Sequence, residues 1–409
     1  MEKGKIRNNI FFISSIVLLV GLVMSKFLLS VGIWGIVAAG LISNDYSSDW
    51  KRFWSNKAYL ATIGIFLILL LSGINTENWS DMTWPLRIAI PYLVLPLAFG
   101  MMPPISSRQY KTLLYIFVAL MTAASIWVLG NYLLNFDEIQ YALKGSKALP
   151  TPQDDHIRFS LTLCIAIFAG AWLYAEKFYL KFRKEHIVLL LAIIFMWVML
   201  HVLAVRSGLL AFYMGIFVWI IQLILVRRQW LLGLGLFMGM FLIPIAAYYT
   251  VPSFRMKVHL TRYNWEQFQQ GNIADLSDTQ RLLSYQIALK VAAKNPIFGV
   301  GIGDLEDEQR KVYELEYPEQ RVMYPHNQFL SFYVGAGWVG LLAFLGCFFF
   351  PFFYKKAYRD TFFLLFFTVI GASFLTENTI FIAVGTAIHC FFLLLNLKMS
   401  EDAVRQSSI

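Results

Sequence analysis

Long apolar runs alternate with polar stretches along the whole chain. We identify apolar segments at about residues 10–26, 27–43, 58–75, 85–101, 112–132, 158–175, 187–204, 207–226, 230–250, 327–353, 361–377 and 379–397. Their lengths are close to the ~20 residues that an α-helix needs to cross the hydrocarbon core of a bilayer. The pattern predicts an all-α integral membrane protein with about 12 transmembrane helices.

The composition agrees with a membrane protein. Hydrophobic residues make up 58% of the chain and charged residues only 14%, whereas soluble domains carry about 25% charged residues. A soluble helical protein with a very large core is therefore disfavoured. The net charge of +9 would suggest a nucleic-acid partner, but the positions of the basic residues argue against one.

Basic residues cluster in alternate gaps between the apolar segments. These clusters hold more than half of the 34 Lys and Arg residues: Lys3, Lys5, Arg7, Lys51, Arg52, Lys57, Arg108, Lys111, Lys177, Lys181, Arg183, Lys184, Arg227, Arg228, Lys355, Lys356, Arg359, Lys398 and Arg405. Because cytoplasmic loops of membrane proteins are enriched in Lys and Arg, these gaps and both termini are predicted to be cytoplasmic. The other gaps, including residues 251–325, then face outward.

We expect one polytopic membrane domain over residues 1–409, with 251–325 as its only large polar loop. Within the loop, Ser277 and Gln280 fit a capping box, apolar residues recur at helical spacing after it, and Pro296 ends the pattern. These signals predict a helix at about 278–294. The three cysteines fall inside predicted helices and indicate no disulfide framework.

A histidine lies where this loop meets the next apolar segment, in Tyr324-Pro-His326-Asn327-Gln328, and the segment continues to Gly337-Trp-Val-Gly340. Histidine can exchange protons near neutral pH, and glycines allow another helix or a lipid tail to come close. The motif suggests proton transfer at the outer membrane surface.

Two arginines occupy unusual positions on the same predicted face. Arg281 is in the first turn of the loop helix, where the helix dipole already favours an anion and a guanidinium can bind phosphate through two oxygens. Arg206 lies between two apolar runs with almost no polar gap, and charges inside a membrane usually mark a site. A solvated helix arginine and a side chain that snorkels to the headgroups are the alternatives.

Arg158 and Glu377 are further candidates at the same face. Arg158 follows Asp154, Asp155 and His156, so it belongs either to an ion-pair cluster that caps a helix or to a site for an anionic substrate. Glu377, in the short turn before the last helix, could orient a histidine, pair with an arginine, or be an ordinary helix-end carboxylate.

No spacing of His, Asp and Glu resembles a metal site, and His201 and His389 lie in apolar runs as expected for hydrogen-bonded core histidines. Gly299-Val-Gly301-Ile-Gly303 follows a helix rather than a strand, which disfavours a dinucleotide site. It either brings the loop backbone close to a ligand or makes a sharp turn. A histidine with several arginines suits a lipid-linked phosphate or diphosphate, because arginines offset the charge on the leaving group and histidine accepts the proton of an attacking hydroxyl.

These residues resemble the O-antigen ligase family. The first motif of the family begins with His followed by Asn, Ser or Gln. Nine residues later comes a Gly, and after two more residues a Gly, Thr or Tyr. His326, Asn327, Gly337 and Gly340 match these positions. An Arg followed after three residues by Leu is met by Arg206-Ser-Gly-Leu-Leu210. A loop-helix Arg upstream of Pro-x-x-Gly-x-Gly is met by Arg281 and Pro296-Ile-Phe-Gly299-Val-Gly301. The resemblance covers about residues 150–400.

The resemblance implies a metal-independent, inverting membrane glycosyltransferase of the lipid-phosphosugar-dependent (GT-C) type, without a cofactor. It sits in the bacterial inner membrane with its active site on the periplasmic face. The donor is an undecaprenyl diphosphate-linked glycan and the acceptor a sugar hydroxyl of lipid A–core or another glycan; no nucleic acid is involved. His326 is then the base, and Arg206 and Arg281 bind the diphosphate. The expected substrate-binding residues are Arg158, Asn327, Gln328, Glu377, Gly337 and Gly340.

An O-antigen polymerase, which uses the same donor but adds to another lipid-linked repeat unit, is the main alternative. The single large outer loop favours a ligase, since polymerases often carry two sizeable loops. A transporter or flippase should show repeated halves and broken helices in both, and neither is visible.

Overall fold

The structure, a computed structural model, describes residues 2–144, 147–270 and 277–406, and the described residues are helical without strands. The first eight helices are α1 Glu2–Met24, α2 Lys26–Leu41, α3 Tyr46–Ser55, α4 Lys57–Ser72, α5 Trp79–Ala89, α6 Pro91–Met101, α7 Ser107–Leu134 and α8 Phe136–Lys144. Those that follow are α9 His156–Ala175, α10 Glu185–Leu203, α11 Arg206–Ile221, α12 Trp230–Thr250, α13 Pro252–Gln269, α14 Ser277–Ala292, α15 Leu305–Glu316, α16 Gln328–Phe353, α17 Thr361–Thr376 and α18 Ala383–Gln406.

Every predicted apolar segment falls on a helix, so the expectation of a helical membrane protein is confirmed. Within the described residues, 10 helices, or helix pairs in line, are long and apolar enough to cross a membrane, and up to 11 if α2 and α3, bent by 117°, form one span. The apolar helix α17 has only 16 residues. The count of 12 spans and the GT-C type therefore stay predictions.

The bundle is built around α9 and α18, which are largely buried, whereas α12 lies at the periphery. Several polar side chains in the core form hydrogen bonds with one another, which offsets the cost of their burial. Tyr110 donates a hydrogen bond to Asn396 at 2.6 Å, and the Tyr92 hydroxyl lies 2.6 Å from His389 Nδ1. His201 lies 2.7 Å from the Tyr213 hydroxyl, so both His201 and His389 are hydrogen-bonded core histidines, as predicted.

Ion pairs and a hydrogen bond hold the first turns of α1 and the last part of α18 at one end of the bundle. Arg7, near the start of α1, pairs with Asp49 at 2.7 Å, and Arg52 pairs with the same carboxylate at 2.8 Å. At the other terminus Glu401 accepts a hydrogen bond from Asn56 at 2.6 Å. Arg7 of α1 and Glu401 of α18 thus both contact the segment from Asp49 to Asn56, which agrees with the prediction that both termini lie on one side of the membrane.

Helices α13, α14 and α15 lie at the opposite end of the bundle, here called the loop end. Helix α14 confirms the helix predicted at about 278–294, although the capping box at Ser277 involves a side chain outside the described part. Helices α13 and α15 were not predicted. The Asp304 carboxylate accepts hydrogen bonds from the amides of Glu77 and Asn78, both at 2.7 Å, and so fastens the loop to the start of α5.

The glycine-rich turn packs its backbone against a kink in α16. Gly337 interrupts that helix with φ +66°, and the turn and the kink exchange hydrogen bonds, from Val300 N to the Val334 carbonyl and from Trp338 N to the Pro296 carbonyl, each at 2.9 Å. A Cβ on Gly299 (φ +74°) would lie 2.5 Å from the amide nitrogen of Ala336, and one on Gly337 2.2 Å from the Ile297 carbonyl oxygen. Only glycine fits such positions, so the turn serves close backbone packing here.

Candidate active site

A buried carboxylate at the loop end brings the predicted charged residues together. Glu377, the C-cap of α17, has a side chain only 2% exposed. Its Oε1 accepts a hydrogen bond from Arg281 of α14 at 2.5 Å. Its Oε2 lies 3.7 Å from Arg158 of α9 and 3.6 Å from Nδ1 of His326. Residues from three distant parts of the sequence therefore converge on one carboxyl group.

The cations around Glu377 keep it ionised. Burial alone would raise the pKa of this carboxyl group, but His326 and the charges of Arg281 and Arg158 more than compensate, and the pKa falls below its ordinary value of 4.5. A carboxylate held between two guanidinium groups is expected to stay negative at neutral pH. Glu377 thus supplies a fixed negative charge beside His326.

Backbone hydrogen bonds hold His326 in place just before α16. Tyr285 of α14 donates a hydrogen bond to the His326 carbonyl at 2.7 Å, and Asn378 donates one to the Pro325 carbonyl at 2.6 Å. The imidazole is about one quarter exposed. Since the carboxylate faces Nδ1, it favours the tautomer with hydrogen on Nδ1, which leaves the lone pair of Nε2 free to accept a proton.

The imidazole opens into a cavity of about 700 Å³, here called the main cavity. Its volume lies within the range of small-molecule sites. One wall carries His326, Arg158 and Glu377. The rest of the lining mixes aromatic, acidic and basic side chains with apolar ones: Trp84, Tyr324, Phe381, Asp81, Glu306, Arg310, Ser80, Asn378, Pro85, Ile157, Ile302 and Ile382. Such a lining suits a polar, hydroxyl-rich ligand.

Two further cavities, here together called the side groove, lie along α11, α13 and α14. One, of about 470 Å³, is mostly apolar and contains Arg206 and Lys257. The other, of about 280 Å³, contains Arg281 and Tyr285. Both are lined by Thr261 and Trp265, and neither shares a lining residue with the main cavity. The side groove thus combines an apolar surface with three cations, Arg206, Lys257 and Arg281, of which Arg281 pairs with Glu377.

Lys257 is a site residue that the sequence analysis missed. Burial, and secondarily the nearby charge of Arg206, lower the pKa of its amine from 10.5 to about 8. Its ammonium group donates a hydrogen bond to the Lys147 carbonyl at 3.0 Å. Phe254, Val258, Thr261 and Trp265 follow a helical spacing around it, and this pattern could have revealed both α13 and the direction of Lys257.

The remaining predicted substrate-binding residues contact protein. Asn327 caps α16 by accepting from Leu330 N at 3.0 Å, and buried Gln328 accepts from Ile380 N at 2.8 Å. Gly337 makes the kink in α16, and Gly340 follows one turn later, where a Cβ would lie 2.1 Å from that of Ala336. Their substrate-binding roles stay predictions.

The comparison with protein families agrees with the motifs. A family model described as O-antigen ligase matches residues 191–345, a region that includes Arg206, Arg281 and His326. No curated protein matches the chain. The resemblance found in the sequence is therefore confirmed over residues 191–345, where this multi-pass membrane protein matches the O-antigen ligase family model.

Proposed function

We propose that this protein is an O-antigen ligase of the bacterial inner membrane. It transfers a glycan from undecaprenyl diphosphate to a sugar hydroxyl of lipid A–core at the periplasmic face. Residues 1–409 act as one membrane domain, with 251–325 as its periplasmic loop. The observation that carries this proposal is the convergence of His326, Arg281 and Arg158 on buried Glu377, within a cavity next to a cationic, apolar groove.

The proposed reaction is a single displacement. Nε2 of His326 takes the proton from the acceptor hydroxyl, and the oxygen forms a bond to the anomeric carbon of the donor sugar. The bond from that carbon to the diphosphate oxygen breaks, and the electron pair leaves with the diphosphate. Attack from the face opposite the leaving group inverts the anomeric configuration. Glu377 stabilises the imidazolium that forms, because its charge lies 3.6 Å from Nδ1.

The side groove is where the donor is proposed to bind. Its apolar surface on α11 and α13 suits a polyprenyl chain, and Arg206, Lys257 and Arg281 supply positive charge for the diphosphate. Charge-assisted hydrogen bonds from such groups stabilise the negative charge that develops on the leaving group. Since these cations can neutralise the charge on the leaving diphosphate, the reaction is proposed to need no metal ion.

The ion pair between Arg281 and Glu377 has a consequence for the order of events. A diphosphate that engages Arg281 competes with Glu377 for the same guanidinium group. When the donor binds, the carboxylate loses part of its pairing with Arg281 and interacts more strongly with His326. Donor binding is therefore proposed to tighten the hold of Glu377 on the His326 ring before the acceptor is attacked.

The direct test is transfer by the purified full-length protein reconstituted in lipid vesicles. An undecaprenyl diphosphate-linked glycan is supplied with lipid A–core, in buffer containing EDTA, and the products are separated by gel. We expect glycan-capped lipid A–core with an inverted anomeric linkage. Lengthening of the donor glycan in the absence of lipid A–core would instead indicate a polymerase, and dependence on an added divalent metal would contradict the proposed chemistry.

Lys257 leads to a prediction about pH. Its amine is charged below pH 8 and mostly neutral above it, so a binding site for diphosphate should lose one positive charge as the pH rises through about 8. Inhibition of transfer by inorganic pyrophosphate is the measurement. Between pH 7 and pH 9 the inhibition constant should rise in both proteins. The fold-increase in the wild type should exceed that in Lys257→Arg by a factor of roughly three to ten, because the guanidinium of the variant stays charged.

The comparison with Lys257→Arg removes the effect of the titration of pyrophosphate itself, which is common to both proteins. Arg255→Gln, an exposed cation on the same helix outside the described cavities, is the matched control and should behave as the wild type. Equal pH dependence in the wild type and in Lys257→Arg would exclude a role of Lys257 in binding the diphosphate.

A further inference from the structure

A smaller groove adjoins the main cavity, between α2 and the α5–α6 region. It has a volume of about 220 Å³, and we call it the α2–α5 groove. Its floor is apolar and its rim is polar and basic. The floor is formed by Leu29, Ile33, Trp34, Ile88, Ile90, Pro91 and Ala383, and the rim by Lys26, Ser30 and Arg87.

The α2–α5 groove is continuous with the main cavity. Trp84 lines both of them, and the consecutive residues Ile382 and Ala383 line the main cavity and the groove respectively. Trp84 is well exposed, at 67% of its full surface, so it can contact a ligand that extends between the two. A molecule seated in the groove can thus extend past Trp84 toward His326.

The two cations at the rim have no anionic partner in the part of the chain that the structure describes. Lys26 and Arg87 are exposed, and neither forms an ion pair there. They lie at the loop end, which the positive-inside pattern predicts to be the outer side, where basic residues are depleted. Two cations placed directly above an apolar groove at such a border match an amphiphile with an anionic headgroup.

We infer that the α2–α5 groove holds the acceptor, a phosphorylated glycolipid. Its phosphate contacts Lys26 and Arg87, its acyl region lies on the apolar floor, and its sugars pass Trp84 into the main cavity. This inference rests on the proposed function, since it supplies the acceptor hydroxyl to His326. Donor and acceptor then reach Glu377 through separate grooves, because the side groove shares no lining residue with the main cavity or the α2–α5 groove.

Binding of a defined glycolipid by the full-length protein in detergent tests the inference independently of turnover. The probe is a bisphosphorylated, acylated diglucosamine lipid. The same lipid after phosphatase treatment is the comparison ligand. Affinity is measured by native mass spectrometry. Removing both cations in Lys26→Gln/Arg87→Gln should weaken binding of the phosphorylated lipid by roughly 10–30-fold, and leave binding of the dephosphorylated lipid within about twofold.

A matched double variant at the loop end, Lys144→Gln/Lys290→Gln, removes two exposed lysines outside the described grooves and should bind as the wild type. The inference fails if this control loses as much affinity, or if both lipids are weakened equally. It also fails if phosphatidylglycerol binds the wild type as tightly as the glycolipid does and loses as much affinity in Lys26→Gln/Arg87→Gln. The groove would then be a site for ordinary anionic phospholipid.

A transfer assay separates this inference from the proposed function. In Lys26→Gln/Arg87→Gln we expect KM for the acceptor to rise by roughly tenfold or more, with KM for the lipid-linked donor unchanged. If the variant is normal while a His326 variant is inactive, only the acceptor groove is wrong. If the His326 variant transfers glycan normally, the proposed function itself is contradicted.

Discussion

Replacing His326 with glutamine is expected to lower kcat for glycan transfer by about 10²–10⁴-fold, the usual contribution of a general base. Glutamine is close to histidine in size and can keep hydrogen bonds, but it cannot accept a proton from a hydroxyl group. KM for the lipid-linked donor should change little, because His326 lies in the main cavity and not in the side groove. Steady-state kinetics with the reconstituted protein measures both quantities.

The matched control for this substitution is His186→Gln. The His186 ring stacks on Tyr174 with ring centres 4.0 Å apart, far along the chain from the site, and its replacement should leave kcat within about twofold. The His326→Gln protein must also retain the wild-type melting temperature. A kcat within tenfold of the wild type, with folded protein in the membrane, would rule out His326 as the base.

Replacing Glu377 with glutamine is expected to impair both stability and activity. The substitution removes the negative charge that Arg281 and Arg158 share, and of the two arginines only Arg158 keeps an acidic partner within the described residues, Asp155 at 3.6 Å. Breaking a buried ion pair in this way costs about 3–5 kcal/mol. The variant should therefore unfold at a clearly lower denaturant concentration, and its kcat should fall because His326 loses the charge next to Nδ1.

The stability difference should depend on pH in a defined direction. The folded pKa of Glu377 lies below its ordinary value of 4.5, so the carboxylate stabilises the fold fully above that pH. Its contribution is lost as the pH falls through the lower, folded pKa, where the carboxyl group gains a proton. The wild type and Glu377→Gln should thus differ most near neutral pH and converge under acid conditions well below pH 4.5.

Glu266→Gln is the matched control for this pair of measurements. Glu266 also pairs with an arginine, Arg262 at 2.8 Å, but its side chain is 48% exposed, and such surface pairs contribute less than about 1 kcal/mol. If Glu377→Gln destabilises no more than Glu266→Gln, the buried cluster does not hold the loop end together.

The transmembrane helices could be predicted from the sequence because a bilayer imposes a simple requirement, a run of about 20 apolar residues. Helices α3, α8, α13 and α15 escaped prediction because they are short or amphipathic and lie in polar stretches. Their apolar residues face the rest of the protein, as with buried Val312 and Tyr313 of α15. The predicted segment 85–101 contains three prolines, Pro85, Pro91 and Pro96, and the structure has two helices in succession there, α5 and α6.

The site was only partly visible in the sequence. His326, Arg206 and Arg281 stand out because each has a charge or a titrating group beside an apolar segment or at a helix start. For Glu377, the sequence leaves pairing with arginine, orientation of histidine and a plain helix end open, since local sequence cannot tell which residues come near a turn. The fold brings Arg158 and Arg281 to the same carboxylate, although they are 123 positions apart in the sequence.

The hydrogen bonds between the glycine-rich turn and the kink of α16 give the loop end a mechanical property. Because Gly299 and Gly337 let two backbones touch without side chains between them, no soft layer can absorb a relative displacement. The turn follows α14, which carries Arg281, and the kink lies in α16, 11 residues beyond His326, which immediately precedes that helix. A tilt of α14 is therefore expected to be transmitted to α16, so that Arg281, proposed to bind the diphosphate, and His326, proposed as the base, shift together.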